Sequence, residues 1–104
     1  MSTSANINII NSDGTYSSNR VNFDGYPDHL QIALNIHCYT KLASEQLIAG
    51  KEIRSVDIET GEVELYNKEA CRNSLSTPDC DEDYSYLYTD GQWKCLTRGY
   101  HHLN

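Results

Sequence analysis

The sequence predicts an α+β fold, in which an antiparallel sheet of about four to six strands packs on one long and one short helix. Two observations support this class. Segments that alternate apolar and polar residues flank tight-turn dipeptides at three places, which predicts three hairpins. Between the first and second of these places, apolar residues recur every three to four positions, which is the helical period. A chain of 104 residues supports one core, so we expect a single domain over residues 1–104.

The first hairpin is predicted from a strand over residues 6–11 and a returning strand over residues 16–23. Between them lies Ser12-Asp13-Gly14-Thr15, a tight turn whose Asp-Gly pair suits a positive backbone φ. The returning strand ends where Asp24-Gly25-Tyr26-Pro27 interrupts the alternation.

Two helices are expected next. Pro27 favours a helix start, because the amide hydrogen that proline lacks would have no partner at a first helical position. We expect a long helix over residues 27–39, then a shorter one that Thr40 caps and Gly50 ends in a left-handed conformation. The long helix carries two apolar strips, which indicates a central helix covered by the sheet. The second strip consists of Ile32, Ile36 and Tyr39.

The second hairpin follows Ile53, where the apolar period changes to two, and is expected to turn at Thr60-Gly61. In that register four carboxylates and no cation share one face of the strand pair. Asp57 opposes Glu64, and Glu59 opposes Glu62. Like charges opposite one another destabilise a strand pair, so folding alone does not favour this pattern. A longer turn with a glycine bulge would change the pairs, and that alternative stays open.

The acidic residues are concentrated in the second half of the chain. Residues 57–104 hold ten of the fifteen Asp and Glu but four of the eight Lys and Arg. Part of this charge lies in residues 67–83, which are predicted as a long acidic loop, and residues 99–104 are predicted as a polar tail. The predicted partner-binding residues are Asp57, Glu59, Glu62, Glu64, Asp79, Asp81, Glu82 and Asp83.

This acidic set predicts a basic partner. Alternate residues on a strand face lie about 7 Å apart, which is of the same order as the spacing of successive phosphates on a nucleic-acid strand. The set is therefore expected to bind a protein whose Lys and Arg are arranged for DNA or RNA. The alternative is a solvated face that keeps the protein in solution. Direct binding of nucleic acid is not expected from a chain with so few cations.

The third hairpin is predicted from two alternating segments, residues 84–89 and 92–97, joined by Asp90-Gly91. The expected pairs are Tyr88 with Trp93, Tyr86 with Cys95 and Tyr84 with Thr97. Four aromatic rings, of Tyr84, Tyr86, Tyr88 and Trp93, then share one face. Two interpretations stay open: the rings pack on the long helix as core, or they form an exposed platform for a nucleotide base or a partner helix.

Catalytic and metal chemistry are not indicated, so we expect no enzyme, no cofactor and no metal. His37 and Cys38 are neighbours on a helix and point about 100° apart, so they do not form a nucleophile and base pair. Cys71, Cys80 and Cys95, taken with His101 or His102, lack the compact spacing of structural zinc ligands.

The expected location is the cytoplasm. The N-terminus lacks the features of a secretory signal, and no apolar run approaches the roughly 20 residues that cross a bilayer. The four cysteines are accordingly expected as reduced thiols, with a Cys71–Cys80 disulfide as the alternative under oxidation.

Four motifs follow one another along residues 7–95. They are Ser12-Asp13-Gly14-Thr15; Asp24-Gly25-Tyr26-Pro27 opening a helix; Leu47-Ile48-Ala49-Gly50 followed by Glu52-Ile53; and Tyr84-x-Tyr86-Leu87-Tyr88-Thr89-Asp90-Gly91-x-Trp93. In this succession the chain resembles a group of small proteins carried by bacteriophages and prophages. These motifs are turn and core signals, so the resemblance implies a fold and no enzymatic activity.

Small acidic phage proteins are frequently inhibitors of host machinery, anti-CRISPR proteins among them, and the chain is similar to these in size and charge. By that association we expect a stoichiometric inhibitor in the host bacterial cytosol. Its partner would be a basic nucleic-acid channel of a defence complex, such as a CRISPR effector complex. The alternative is a phage regulatory or morphogenesis adaptor that docks through the aromatic sheet face.

Overall fold

A seven-stranded mixed β-sheet with helices on one face forms the structure, a computed structural model that describes residues 3–96. The strands are β1 (Ala5–Ile10), β2 (Tyr16–Val21), β3 (Lys51–Val56), β4 (Val63–Glu69), β5 (Arg72–Leu75), β6 (Tyr84–Thr89) and β7 (Gln92–Cys95). The helical elements are a π-helical turn (Pro27–Gln31) that continues into α1 (Ile32–His37), and α2 (Lys41–Ala49). The predicted polar tail, residues 99–104, lies outside the described residues.

The α+β class is confirmed, but the expectation of a purely antiparallel sheet of four to six strands is wrong. The sheet order is β4-β3-β2-β1-β6-β7, and β5 also pairs with β2. β1 pairs in parallel with β6, and β2 meets β3 in parallel at Val21 and Ile53. The helices cross between β2 and β3, and such a crossover makes the strands it joins parallel. Turn signals identify each hairpin but not how successive hairpins associate.

The first and third hairpins are confirmed. In the first, Ile10 lies opposite Tyr16, and the returning strand ends at Val21 instead of residue 23. In the third, Tyr88 lies opposite Trp93 and Tyr86 opposite Cys95, as predicted, while the pairing of Tyr84 with Thr97 falls outside the described residues. Both residues of the Asp90-Gly91 turn have a positive φ, which is the geometry that a two-residue hairpin requires.

The helices differ from prediction at their ends. The first begins at Pro27 as expected, but as a π-helical turn, and it ends at His37 instead of residue 39. The second is capped as expected, since the amide of Ala43 donates to the Thr40 hydroxyl over 3.1 Å. Gly50 is extended instead of left-handed, with φ −82°, because β3 starts at the next residue. Among residues 3–96, no helix is long and apolar enough to cross a bilayer.

The hydrophobic core lies between the helices and one face of the sheet. Its members are Ala5, Ile7, Val21, Leu30, Ala33, Leu34, Cys38, Ile48, Ile53, Val56, Tyr86 and Trp93. The expectation that the sheet covers both apolar strips of the first helix is wrong. Ile32, Ile36 and Tyr39 lie on the outer surface, where Ile36 is 53% and Tyr39 is 55% exposed. A single sheet covers only one side of a helix, so the second strip stays exposed.

The predicted long loop over residues 67–83 is shorter in the structure. β4 continues to Glu69, and β5 adds a further strand that pairs with β2 through Tyr16–Leu75 and Ser18–Arg72. The residues of β5 are polar and lack an alternating apolar pattern, so the sequence offered no strand signal there. What remains of the loop is the connection from β5 to β6.

Candidate acidic binding site

The second hairpin does not have the predicted two-residue turn. Val56 lies opposite Val63 and Ser55 opposite Glu64. Residues 57–62 form a longer loop, which is closed when the Asp57 amide donates to the Glu62 carbonyl and the Gly61 amide donates to the Asp57 carbonyl. The predicted ladder of Asp57 with Glu64 and Glu59 with Glu62 is therefore wrong. The alternative of a longer turn is the one observed, with Gly61 at φ +77°.

Asp57 stabilises this loop through its side chain. Its Oδ1 accepts hydrogen bonds from the amides of Glu59 and Thr60, over 2.8 and 3.0 Å. Those amides, first that of Thr60 and then that of Glu59, lower the pKa of the Asp57 carboxyl, with a further contribution from the charge of His29. Asp57 is thus an ionised residue at neutral pH and a structural element of the loop.

Two histidines of the helical segment position the loop. The Nε2 of His29 donates to the carbonyl of Val56 over 3.0 Å, and the Nε2 of His37 donates to the carbonyl of Ile58 over 2.9 Å. The two acceptors are the residues on either side of Asp57. The loop is therefore anchored to the helices at two successive points.

This anchoring creates an acidic cleft, a surface cavity of about 190 Å³. Its carboxylates come from Asp24, which follows β2, from Asp57 and Glu62 in the loop, and from Glu64 in β4. The remaining lining residues are His29, Ser55 and Val56. Among residues 3–96, no Lys or Arg lines the cleft, although the exposed Arg54 guanidinium lies 3.8 Å from Glu64. An exposed pair at that distance contributes little.

The structure thus brings together three of the four residues of the predicted ladder and adds Asp24. Glu59 does not line the cleft. Sequence analysis missed Asp24 because Asp24-Gly25-Tyr26-Pro27 carries only a turn signal. Asp24 has a positive φ of 57°, a conformation that Asp tolerates better than most residues.

The second predicted acidic group, in residues 79–83, is bound into the fold instead. Asp79 has a side chain only 6% exposed, and its Oδ2 lies 2.7 Å from Nη1 of Arg72. The same Arg72 atom lies 3.1 Å from Asp81, and Nε of Arg20 lies 3.5 Å from Glu82. Asp83 accepts a hydrogen bond from the amide of Ser4. The prediction that Asp79 is presented to a partner is therefore wrong, and its neighbours already have internal partners.

Asp79, Asp81 and Glu82 border a larger polar cavity, of about 490 Å³, on the face of the sheet that lacks helices. There the buried Glu52 carboxylate lies 3.2 Å from Nζ of Lys68 and 3.7 Å from Nε of Arg20. Within residues 3–96, every buried side-chain nitrogen and oxygen has a hydrogen-bond partner. Three cations therefore face the five acids that line this cavity, whereas no Lys or Arg of residues 3–96 lines the acidic cleft.

The aromatic sheet face is core and not a docking platform. The Tyr86 ring is fully buried and its hydroxyl donates to the carbonyl of Gly25. The Trp93 ring is 1% exposed and its Nε1 donates to the carbonyl of Cys38. The half-buried rings of Tyr84 and Tyr88 pack against the same core. The interpretation of these rings as core is confirmed, and the exposed platform is wrong.

Within residues 3–96, no group of three or more His, Cys, Asp or Glu side chains is arranged to hold a metal ion. His101 and His102 lie outside the described residues. Four cysteines are free thiols. Burial raises the pKa of Cys38, and burial followed by the charge of Glu69 raises that of Cys71. Both shifts disfavour the reactive thiolate.

The acidic cleft is thus a site where four carboxylates gather with Arg54 beside Glu64 and no Lys or Arg of residues 3–96 in the lining. Comparison of the chain with protein-family models, curated proteins and solved structures found no match. The functional argument therefore rests on the geometry of this cleft.

Proposed function

We propose that this chain is a phage-encoded, stoichiometric inhibitor that binds a basic surface of a bacterial nucleic-acid-binding protein through the acidic cleft. The observation that carries the proposal is the cleft itself, which is lined by four carboxylates. They belong to Asp24, Asp57, Glu62 and Glu64, and no Lys or Arg of residues 3–96 lines the cleft. Neighbouring like charges oppose folding. A partner that supplies Lys or Arg relieves this repulsion, which favours association and speeds encounter.

The contrast with residues 79–83 supports the choice of surface. Asp79 and Asp81 share Arg72, and Glu82 lies near Arg20. A carboxylate that already has a cation gains less from a second one. We therefore propose that, of the eight acids predicted from the sequence, those that line the cleft bind the partner. The resemblance to small phage proteins favours a defence complex, such as a CRISPR effector, as that partner.

The proposal is tested with the double variant Glu62→Lys/Glu64→Lys. A matched control, Glu45→Lys/Glu59→Lys, changes the net charge equally at two exposed residues outside the cleft. Partners are captured from a bacterial lysate at low salt and identified by mass spectrometry, and affinities are then measured by calorimetry with the purified partner. Thermal melting verifies that both variants are folded.

We expect the cleft variant to lose at least about tenfold in affinity, equivalent to about 1.4 kcal/mol, while the control stays within about threefold. Binding of the natural chain should weaken steeply with ionic strength, because exposed charges are screened within about 10 Å at 0.1 M salt. Equal affinity of the two variants for the partner would refute the proposal.

We propose an adaptor as the second candidate function, and a different observation favours it. Ile32 and Ile36 on the first helix, with Tyr39 just beyond its end, form an exposed apolar strip, and contiguous exposed apolar surface marks interaction sites. A phage regulatory or morphogenesis adaptor would dock through this strip instead of the buried sheet aromatics. Its binding would respond little to salt and would be lost in Ile36→Ser, whereas the cleft variant would retain it.

A further inference from the structure

The outer edge of β4 is open. β4 is the last strand in the sheet order and pairs with β3 on its inner side. Within residues 3–96, no strand covers its other side. The amides and carbonyls along an open edge are available to an added strand. The register of β4 against β3 shifts twice, between Glu64 and Leu65 and again between Leu65 and Glu69, so regular pairing is confined to Val63 and Glu64, next to the acidic cleft.

An apolar groove of about 290 Å³ lies beside this edge, between α2 and the strands. Val63 and Leu65 line it from β4. The other lining residues are Cys38, Ala43, Gln46, Leu47, Gly50 and Ile53. Leu65, at the edge strand, is 56% exposed. A large apolar side chain entering from the edge would therefore be sheltered from water.

The residues on either side of Val63 are acidic, whereas Val63 itself is apolar. Glu62 and Glu64 line the acidic cleft, while Val63 and Leu65 line the apolar groove. Successive residues of an extended strand point to opposite faces of the sheet. A strand added to β4 would thus place its residues alternately beside the groove and beside the carboxylates.

We infer that the β4 edge binds an extended peptide segment of the partner that alternates large apolar residues with Lys or Arg, by strand addition. This inference rests on the proposed function, since Glu62 and Glu64 of the acidic cleft are its charged contacts. It adds the shape of the partner: a basic strand or an extended basic tail, as opposed to a rounded basic surface.

Three synthetic peptides test the inference by fluorescence anisotropy with the natural chain. The first alternates Leu and Lys. The second has the same composition with the lysines and leucines in separate blocks, so that charge and hydrophobicity are matched. The third repeats the first with N-methyl groups at alternate residues, which remove backbone donors. The variant Leu65→Ser removes apolar groove surface, and Leu42→Ser is its control, at a leucine that is 64% exposed and outside the groove.

We expect the alternating peptide to bind at least about tenfold more tightly than the block and N-methylated peptides. Leu65→Ser should weaken the binding of the alternating peptide severalfold, and Leu42→Ser should leave that affinity unchanged. Equal binding of the alternating and block peptides, lost in Glu62→Lys/Glu64→Lys, would overturn strand addition and leave the proposed function standing. If none of the three peptides binds, the inference is also overturned. The proposed function is then still tested separately by the lysate experiment.

Discussion

Gly61 lies so close to His37 that a Cβ atom on the glycine would stand 2.6 Å from Cγ of the imidazole. The glycine belongs to the loop that carries Asp57 and Glu62, and the histidine ends α1. The same histidine donates to the carbonyl of Ile58. Contact and hydrogen bond together hold the acidic loop against the helix.

The first prediction is that Gly61→Ala destabilises the fold by about 3 kcal/mol. A left-handed backbone costs a non-glycine residue about 1–2 kcal/mol, and the collision with His37 adds to that cost. Gly14→Ala is the matched control, because Gly14 also has a positive φ, of 87°, but a Cβ atom added there would meet nothing within 4 Å. We expect the control to lose only about 1 kcal/mol in urea unfolding.

Equal losses in the two glycine variants would show that His37 moves aside freely. Two further proteins, His37→Gly and His37→Gly/Gly61→Ala, separate the two costs, because both the ring and the Cβ of His37 lie less than 3 Å from the added atom and glycine removes both. If the collision is responsible, Gly61→Ala costs less in the His37→Gly background than in the natural chain. The loss from backbone strain should remain in this double variant.

The second prediction concerns the pH dependence of stability. Hydrogen bonds from Thr60 and Glu59 lower the pKa of Asp57 below its ordinary value of 3.8. The stability that this carboxylate contributes is therefore fully present above pH 3.8 and is lost as the pH falls through the lower folded pKa. Asp57→Asn should flatten the acid limb of a plot of unfolding free energy against pH. An identical acid limb in Asp57→Asn would contradict the prediction.

How much of the site the sequence can predict is shown by two hairpins. Asp90-Gly91 allows one turn, and its register was predicted correctly. Thr60-Gly61 fits both a two-residue turn and a longer loop, and the longer loop forms where His29 and His37 supply hydrogen bonds from the helical segment. Those contacts join residues distant in sequence, so no local pattern contained them. The sequence therefore identified the acids of the cleft, except Asp24. It did not predict how they are arranged.

The polar side of the sheet was missed for a related reason. Asn8 donates from its side-chain amide to the carbonyls of Asp79 and Tyr86 and to the hydroxyl of Ser85. A polar residue in a strand normally indicates a solvated face. Here the chain folds back over that face, so polar residues are buried with their partners. Pairing across more than seventy residues leaves no mark on the sequence near Asn8.

The third prediction tests this buried polar network. Arg72→Ala should destabilise the protein by about 2 kcal/mol, because the buried Asp79 carboxylate loses its cation. Lys51→Ala is the control, since Lys51 and Glu69 form a bridge of 2.9 Å in which both side chains are exposed. It should cost less than about 1 kcal/mol. Urea unfolding measures both variants, and similar losses would mean that burial of Asp79 does not strengthen its bridge.

The fourth prediction is that Cys38 is the slowest of the described cysteines to react. Its thiol is buried, and that burial raises its pKa, so both access and thiolate population are low. Cys71, Cys80 and Cys95 are half-buried. Brief alkylation of the native protein near neutral pH, followed by peptide mass spectrometry, should label these three first.

Denaturant offers the matched control for Cys38. In the unfolded chain the burial that raises its pKa is gone, so all described cysteines should react at similar rates. A Cys38 that reacts faster than the others in the native protein would contradict the buried thiol, and it would revive a nucleophilic role for this residue. Slow native labelling with fast labelling after unfolding is the result that the core position of Cys38 requires, since Trp93 donates to its carbonyl and the first helix ends just before it.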